Sequence, residues 1–420
     1  MNAQIRSTRD VDVTGKRVLL RLDINSPLGK NGEIVDRTRL EKSVPTLVDL
    51  LDRGAKVAIL AHQGDTLDYQ NLRDLSEHAK ILSELAKRNV GYVDDVCGPE
   101  AIRVVQSLEQ GEAVILGNVR YLTEEVSSFE TVVKLSPEEM TKTWLVRTLA
   151  PLFDLYVNDA FSAAHRASPS MVAFQEVLPA SAGDLLFTEF SELSNILHNP
   201  RRPAVFILGG AKISDAFGML DQVLKNNTAD TILTLGVTGQ VFLLASGKKL
   251  GEASEAWLSD RKLMDFVPQA KQYLEQYPDR FVIPVDLAYE KDGERTEVDV
   301  SNLPIDDALF LDVGEKTIEN AERVVAEAGS LFANGPAGVY EDERFAKGTK
   351  RIWQAIAASS GHSVLGGGDS VSAAHRFIDV SDIGFISSAG GAMVRFMTGK
   401  TLPLIEAMQK NYNKEFNIDG

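Results

Sequence analysis

The chain has 420 residues, 44% hydrophobic and 25% charged, with a formal net charge of −16. That length exceeds one ordinary core and predicts two domains. The acidity excludes a nucleic acid or an anionic membrane surface as the main partner. The single cysteine, Cys97, excludes an internal disulfide and reads as a buried small hydrophobe. The opening stretch MNAQIRSTRD is polar, without the apolar core of a signal peptide. The most apolar long stretch, residues 231–245, is interrupted by Gly236, Thr238 and Gln240 and is too short to span a bilayer. A cytoplasmic protein is expected.

Along the chain, short apolar runs end abruptly in polar residues or glycine, and a segment of helical period follows each. In the first half the runs are residues 17–25 (RVLLRLDIN), 56–63 (KVAILAHQ), 113–120 (AVILGNVR) and 155–161 (LYVNDAF). Residues 181–199 read as a long helix joining the halves, closed by Pro200. In the second half the runs are residues 204–212, 231–236, 280–286, 309–314, 331–335, 363–369 and 382–391. Continuous Val, Ile and Leu runs between helices predict parallel sheets buried on both faces. No long alternating strand, low-complexity tract or fixed-period repeat stands out.

Open α/β sheets hold ligands at the carboxyl ends of their strands. In the first half those ends carry Asp23, Asn25, His62, Asn118, Arg120, Asn158 and Asp159, with His165 and Arg166 just after. These groups suit a small phosphorylated acid. Any one of them would more often be a turn or cap device, but four strands delivering polar groups to one edge is more than packing requires. The second half offers glycines instead, at 209–210, 236, 314, 335, 366–368 and 390–391. Glycine lets backbone approach phosphates and a flat base, so this half reads as a nucleotide domain.

Two motifs there are sharper. LGGGDS, residues 365–370, reads as a phosphate cradle ahead of a helical segment, with Asp369 placed to ligate Mg2+. The alternative is a glycine-rich turn that only permits close packing. Lys212 follows two glycines in GGAKIS, which is not a Walker A motif. Its short tether suits neutralising a phosphoryl group in transit, and otherwise it caps nearby carbonyls.

These segments, taken together with RLDINSP (21–27), TRL (38–40), AHQG (61–64), GNVRYLTEE (117–125), YVNDAFSAAHRASPS (156–170), LGGAKISD (208–215), ANGPAGVYE (333–341) and ISSAGGA (386–392), resemble phosphoglycerate kinases over nearly the whole chain. The AHQ and SAAHR variants and the compact length look like the archaeal branch. The resemblance implies an α/β fold of two Rossmann-like, doubly wound parallel-sheet lobes joined by a bridging helix, with a cleft between them. It implies an acid domain of residues 1–180 plus 400–420, a bridging helix of 181–199 and a nucleotide domain of 200–399.

By that resemblance Asp23, Asn25, Arg39, His62, Arg120 and Arg166 would hold 3-phosphoglycerate. Gly210, Gly236, Leu311, Pro336 and Glu341 would line the adenosine pocket. Asn334, Gly367, Gly368 and Ser370 would hold phosphates, and Asp369 would ligate Mg2+ carried with ATP or ADP. Arg39 and Lys212 would flank the transferred group. The implied reaction is reversible transfer between 1,3-bisphosphoglycerate and ADP by hinge closure, in glycolysis, performed by a monomer with no nucleic-acid or membrane partner.

Departures from the family pattern leave alternatives. Asp65 stands where most members carry an arginine for the 3-phosphate; it would point away, be compensated by Arg37 or Arg73, or read a different acceptor. Ala216 replaces a second nucleotide-side lysine, and Ala389 a glycine of the last turn. A paralogous kinase acting on another small carboxylic acid, or a weakly catalytic nucleotide-binding protein, are the other readings.

Overall fold

The runs RVLLR and KVAIL form neighbouring strands because neither has a polar face to give to water. In the computed structural model, which describes residues 4–65 and 67–414, Leu19, Leu20, Val57 and Ala58 are all fully buried. The first unit holds β1 (Arg17–Arg21), β2 (Lys56–Leu60), β3 (Val90–Tyr92), β4 (Ala113–Ile115), β5 (Leu155–Asn158) and β6 (Ala180–Ala182). They form one parallel sheet in the order β3-β4-β2-β1-β5-β6, with Leu20 opposite Ile59 on one side and Val157 on the other. Every strand therefore ends on the same edge.

Helices cover both faces, as parallel strands require. The helix Thr38–Asp52 buries Leu40, Leu47, Leu50 and Leu51, a stripe set by the 3.6-residue period. Each such leucine contributes about 1.5–3 kcal/mol of burial.

The second unit contains β7 (Ala204–Leu208), β8 (Thr231–Thr234), β9 (Phe281–Val282), β10 (Asp286–Lys291), β11 (Glu294–Asp299), β12 (Phe310–Val313), β13 (Ser330–Asn334), β14 (His362–Gly366) and β15 (Phe385–Ile386). Six of them form a parallel sheet, β15-β14-β13-β7-β8-β9. Counted within this unit, that is the doubly wound dinucleotide-binding order, and its winding reverses between β7 and β13. The described residues up to Ser191, with those from Thr401 on, make the first compact unit; Glu192–Lys400 makes the other. The first three residues of the opening stretch and the last six of the tail lie outside the described residues.

The α/β, parallel-sheet expectation holds for both units, with four differences of detail. Residues 309–314 do not join the parallel sheet: β12 pairs with β10 in an antiparallel sheet, β11-β10-β12. Only Phe281–Val282 of the 280–286 run is a parallel strand, and Asp286 already begins β10. The short strands β3 and β6 and the β10–β11 hairpin were not expected. Finally, the long helix is Asp184–His198, because Ser181 and Ala182 belong to β6. The chain turns at Gly183, packed against Asp159, whose carboxylate accepts from the Leu186 amide at 2.9 Å and so caps the helix.

The tail forms the helix Pro403–Tyr412. Its buried Asn411 accepts from the Ala180 amide and donates to the carbonyls of Gln175 and Leu178, at 3.0, 2.7 and 2.8 Å. Residues 231–245 divide into β8 and the buried helix Gly236–Ala245, and among the described residues no helix is long and apolar enough to cross a membrane.

Candidate active site

In the first unit, polar groups gather where β1, β2 and β4 end. Asp23 is the centre of one cluster. Its carboxylate accepts from Arg39 Nη1 at 2.7 Å and from the Ser162 hydroxyl, and receives the Asn25 amide at 3.2 Å. His62 lies with Nδ1 3.1 Å from Arg21 Nη2 and Nε2 4.0 Å from Asp23. Burial lowers the His62 pKa, and Arg21, Arg120 and Arg39 add to this against Asp23, so the imidazole is neutral. Burial disfavours the Asp23 carboxylate, but His62, Arg39, Ser162 and Arg21 outweigh it and hold its pKa below the usual range. Since His62 is neutral, Arg39 and Ser162 are the partners that keep Asp23 ionised.

Arg120 and Arg166 form a second cluster. Arg120, 7% exposed, donates from Nη1 to Asp65, and the Ser127 hydroxyl donates to the same Asp65 oxygen. Arg166 reaches Ser127 Oγ at 2.6 Å, Glu130 at 2.8 Å and Asp65 at 3.9 Å. Asp65 thus points into the arginines. Arg37 is engaged with Glu84 and Arg73 with the Gly32 carbonyl. Beside the Asp23 cluster lies a cavity of about 430 Å³ lined by Asn25, Arg39, Gln63, Asp36, Asp68 and Asn71.

Three polar strand-end residues read as ligand candidates turn inward instead. Asn118 is fully buried, donating to the carbonyls of Gln63 and Arg73 and accepting from the Arg120 amide. Asn158 binds the Tyr156 hydroxyl and the Ala160 amide, and Asp159 caps the helix after it. They hold backbone, which is the commoner use of a buried Asn or Asp. Ser127, Glu130 and Ser162 escaped the sequence reading, having no motif of their own. Arg21 had a signal, a cation ending an otherwise apolar strand.

In the second unit a cavity of about 780 Å³ opens at the carboxyl ends of β7, β13 and β14, lined by Gly209, Gly210, Lys212, Asn334, Gly367, Gly368, Asp369 and Ser370, among others. Its walls are backbone. Gly335 has φ +87° and would, with a Cβ, meet the Gly209 carbonyl; Gly367 has φ +89°. The Gly335 amide donates to Ser370 Oγ at 2.7 Å, and Asn334 donates to the Gly366 carbonyl at 3.1 Å, so the end of β13 is tied to the end of β14 and the helix that follows it. The helix Gly368–Phe377 starts at the cavity, with Asp369 in its first turn. A helix N-terminus attracts anions through its free amides and dipole. Lys212 Nζ stands 3.8 Å from Asp369, both side chains mostly exposed.

Gly236 adjoins this wall: a Cβ there would lie 2.9 Å from the Pro336 carbonyl and 3.0 Å from the Gly210 amide. Glu341 lies on the loop that leaves Pro336, and Leu311, in β12, accepts from the Val339 amide of that loop at 2.8 Å; neither lines the cavity. Ala216 is buried on the inner face of the helix Ile213–Lys225, while Arg395 and Lys400 line the cavity as further cations.

Among the described residues no group of three or more His, Cys, Asp or Glu could hold a metal. Asp369 offers one carboxylate beside a glycine cradle. That donor set suits Mg2+ carried by nucleotide phosphates rather than a resident all-protein site.

Comparison with known proteins agrees with this geometry. The family model of phosphoglycerate kinase matches residues 8–400. The chain is 40% identical to the phosphoglycerate kinase of Methanothermobacter thermautotrophicus over 409 residues, 97% of each protein. It is 41% identical to that of Methanococcus maripaludis over 408 residues, 96% of this chain and 98% of the other. The crystal structure of phosphoglycerate kinase from Pyrococcus horikoshii OT3 superposes with a TM-score of 0.84 at 36% identity, covering 98% of this chain and all of the other. The chain belongs to the phosphoglycerate kinase family.

Proposed function

We propose that the chain transfers a phosphoryl group reversibly between 1,3-bisphosphoglycerate and ADP, giving 3-phosphoglycerate and ATP, by hinge closure of its two units. In the ATP-forming direction the bond from phosphorus to the acyl oxygen breaks and a bond to a β-phosphate oxygen of ADP forms. The observation that carries this reading is the glycine-walled cavity between β7 and β13, with Lys212 and Asp369 at its mouth. It offers backbone amides, a helix N-terminus and a cation to a nucleotide's phosphates.

Arg39, Arg120 and Arg166 bind the acid's anionic groups, with Asp23, Asn25 and neutral His62 orienting them. Gly210, Gly236, Leu311, Pro336 and Glu341 contact the nucleoside, and Asn334, Gly367, Gly368 and Ser370 its phosphates. Lys212 and Arg39 neutralise charge on the group in transit, so the protein contributes position and electrostatics rather than covalent chemistry. Bound at Asp369, Mg2+ would screen the nucleotide's charge. The enzyme acts as a cytoplasmic monomer.

The test is a coupled assay of ATP consumption with 3-phosphoglycerate set against a panel of small carboxylic acids. Turnover should be fastest with 3-phosphoglycerate. No turnover with it, or faster turnover with another acid, would overturn the assignment.

A further inference from the structure

The feature the kinase reading does not use is Asp65, a carboxylate among the arginines that receive the acid. Two donors converge on its Oδ2, Arg120 Nη1 and the Ser127 hydroxyl, and the charge of Arg166 Nη2 stands 3.9 Å away. Ser127 is itself held by Arg166 at 2.6 Å and Arg120 at 3.5 Å, so these groups form one ring around a single anionic oxygen. A guanidinium and a hydroxyl donating to one oxygen, with a second guanidinium beside them, is the kind of set that recognises a phosphate oxygen. The charge is already balanced: Arg120 and Arg166 face Asp65 and Glu130.

We propose that Asp65 is an internal stand-in for the substrate's phosphate, occupying the Arg120–Ser127–Arg166 subsite in the resting enzyme and displaced by the incoming acid. The proposal rests on the kinase reading for the identity of the acid. Arg120 is almost fully buried, and a buried guanidinium without a partner is costly, so some anion must sit there. When substrate is absent Asp65 is that anion. When substrate arrives, its phosphate takes over Arg120, Ser127 and Arg166 and Asp65 rotates out. Asp65 lies outside the helices and strands, with its backbone bridged to that of Asp68. Asp65 is a specificity-setting residue: it weakens binding of every acid whose anionic group cannot outcompete a carboxylate.

A purely structural role for Asp65, in which it holds Arg120 ready for substrate, predicts the opposite sign. The two are separated by Asp65→Asn, which keeps the shape and removes the charge, with Asp65→Ser as a second variant should the first fold poorly. Inorganic phosphate, titrated calorimetrically, should bind the variant about tenfold or more tightly than wild type. KM for 3-phosphoglycerate should fall by a similar factor, about 1.4 kcal/mol per tenfold, while KM for MgATP stays within about twofold. Weaker or unchanged phosphate binding, or a raised KM for the acid, overturns the proposal. Absence of 3-phosphoglycerate turnover in wild type would instead strike the kinase reading, and the phosphate titration would still decide the role of Asp65.

Discussion

Lys212→Ala separates what the lysine does for the fold from what it does for the reaction. In the resting structure Lys212 Nζ is 3.8 Å from Asp369, with the two side chains 72% and 61% exposed. Two unit charges at that distance attract by about 1 kcal/mol in water, and exposed pairs contribute about 0–1 kcal/mol once screening and side-chain entropy are counted. The variant should therefore melt within about a degree or two of wild type. During transfer water is excluded, and the same charge a similar distance from a phosphoryl oxygen is worth about 4 kcal/mol at an effective dielectric near 20. That corresponds to a loss of about 10²–10³ in kcat, the range seen when one transition-state donor is removed. Steady-state kinetics in both directions, with calorimetric titration of MgATP, would show the fall in kcat and only a modest change in KM. A variant retaining more than a tenth of wild-type kcat would refute the reasoning and leave Lys212 as a surface cation.

Three further outcomes are expected. Asp369→Ala should weaken MgADP binding in calorimetry far more than binding of 3-phosphoglycerate; equal affinity would make the LGGGDS turn purely structural. Gly335→Ala forces a Cβ toward the Gly209 carbonyl at φ +87°, a backbone strain of about 1–2 kcal/mol before any clash; it should lower the melting temperature and weaken MgATP binding at least tenfold, and a silent substitution would mean the β7–β13 crevice is not the nucleotide's seat. His78, hydrogen-bonded to Gln63 at 3.1 Å, has its pKa pushed by burial down to about 4. Because the unfolded chain titrates near 6.5, His78 stabilises fully above that pH and loses about 1.4 kcal/mol per unit as pH falls toward 4. Asp159 and Asp312, raised by burial to about 6, act in the opposite sense over the same window, destabilising at neutral pH and recovering as pH falls. Urea midpoints from pH 4.5 to 7.5 should therefore decline less steeply in His78→Gln, and an unaltered slope would remove His78 from the acid response.

The parallel strands were legible in the sequence because burial on both faces leaves an unbroken apolar run, as in KVAIL and AVFIL. The antiparallel sheet was not, because β11 reads ERTEVD and shows little apolar alternation. Its signal was in the turn: Asp292 and Gly293 both have positive φ, 53° and 83°, the pair a two-residue hairpin selects. Strands β3 (VGY) and β6 (ASA) are three residues each and fall below any periodic signature. At the candidate site, strand ends could be found from sequence but side-chain direction could not. Asn118 and Arg120 are two positions apart at one strand end, yet the first binds backbone and the second an acidic partner. Asp65 was visible as an anomaly, while its partners Ser127 and Arg166 are brought to it only by tertiary packing.

The tail helix has a consequence for the order in which the protein is made. Residues 192–400 are contiguous, so the second unit has all its strands as soon as Lys400 has been synthesised. The other half, begun first, is not finished then. The Ala180 amide and the carbonyls of Gln175 and Leu178 still lack Asn411, and the apolar surface under Leu404, Ile405 and Met408 is still uncovered. Domains generally fold as units while the chain emerges, and here residues 403–412 must emerge before the earlier-begun unit is covered. Of the two units, the one begun earlier along the chain is the one completed later.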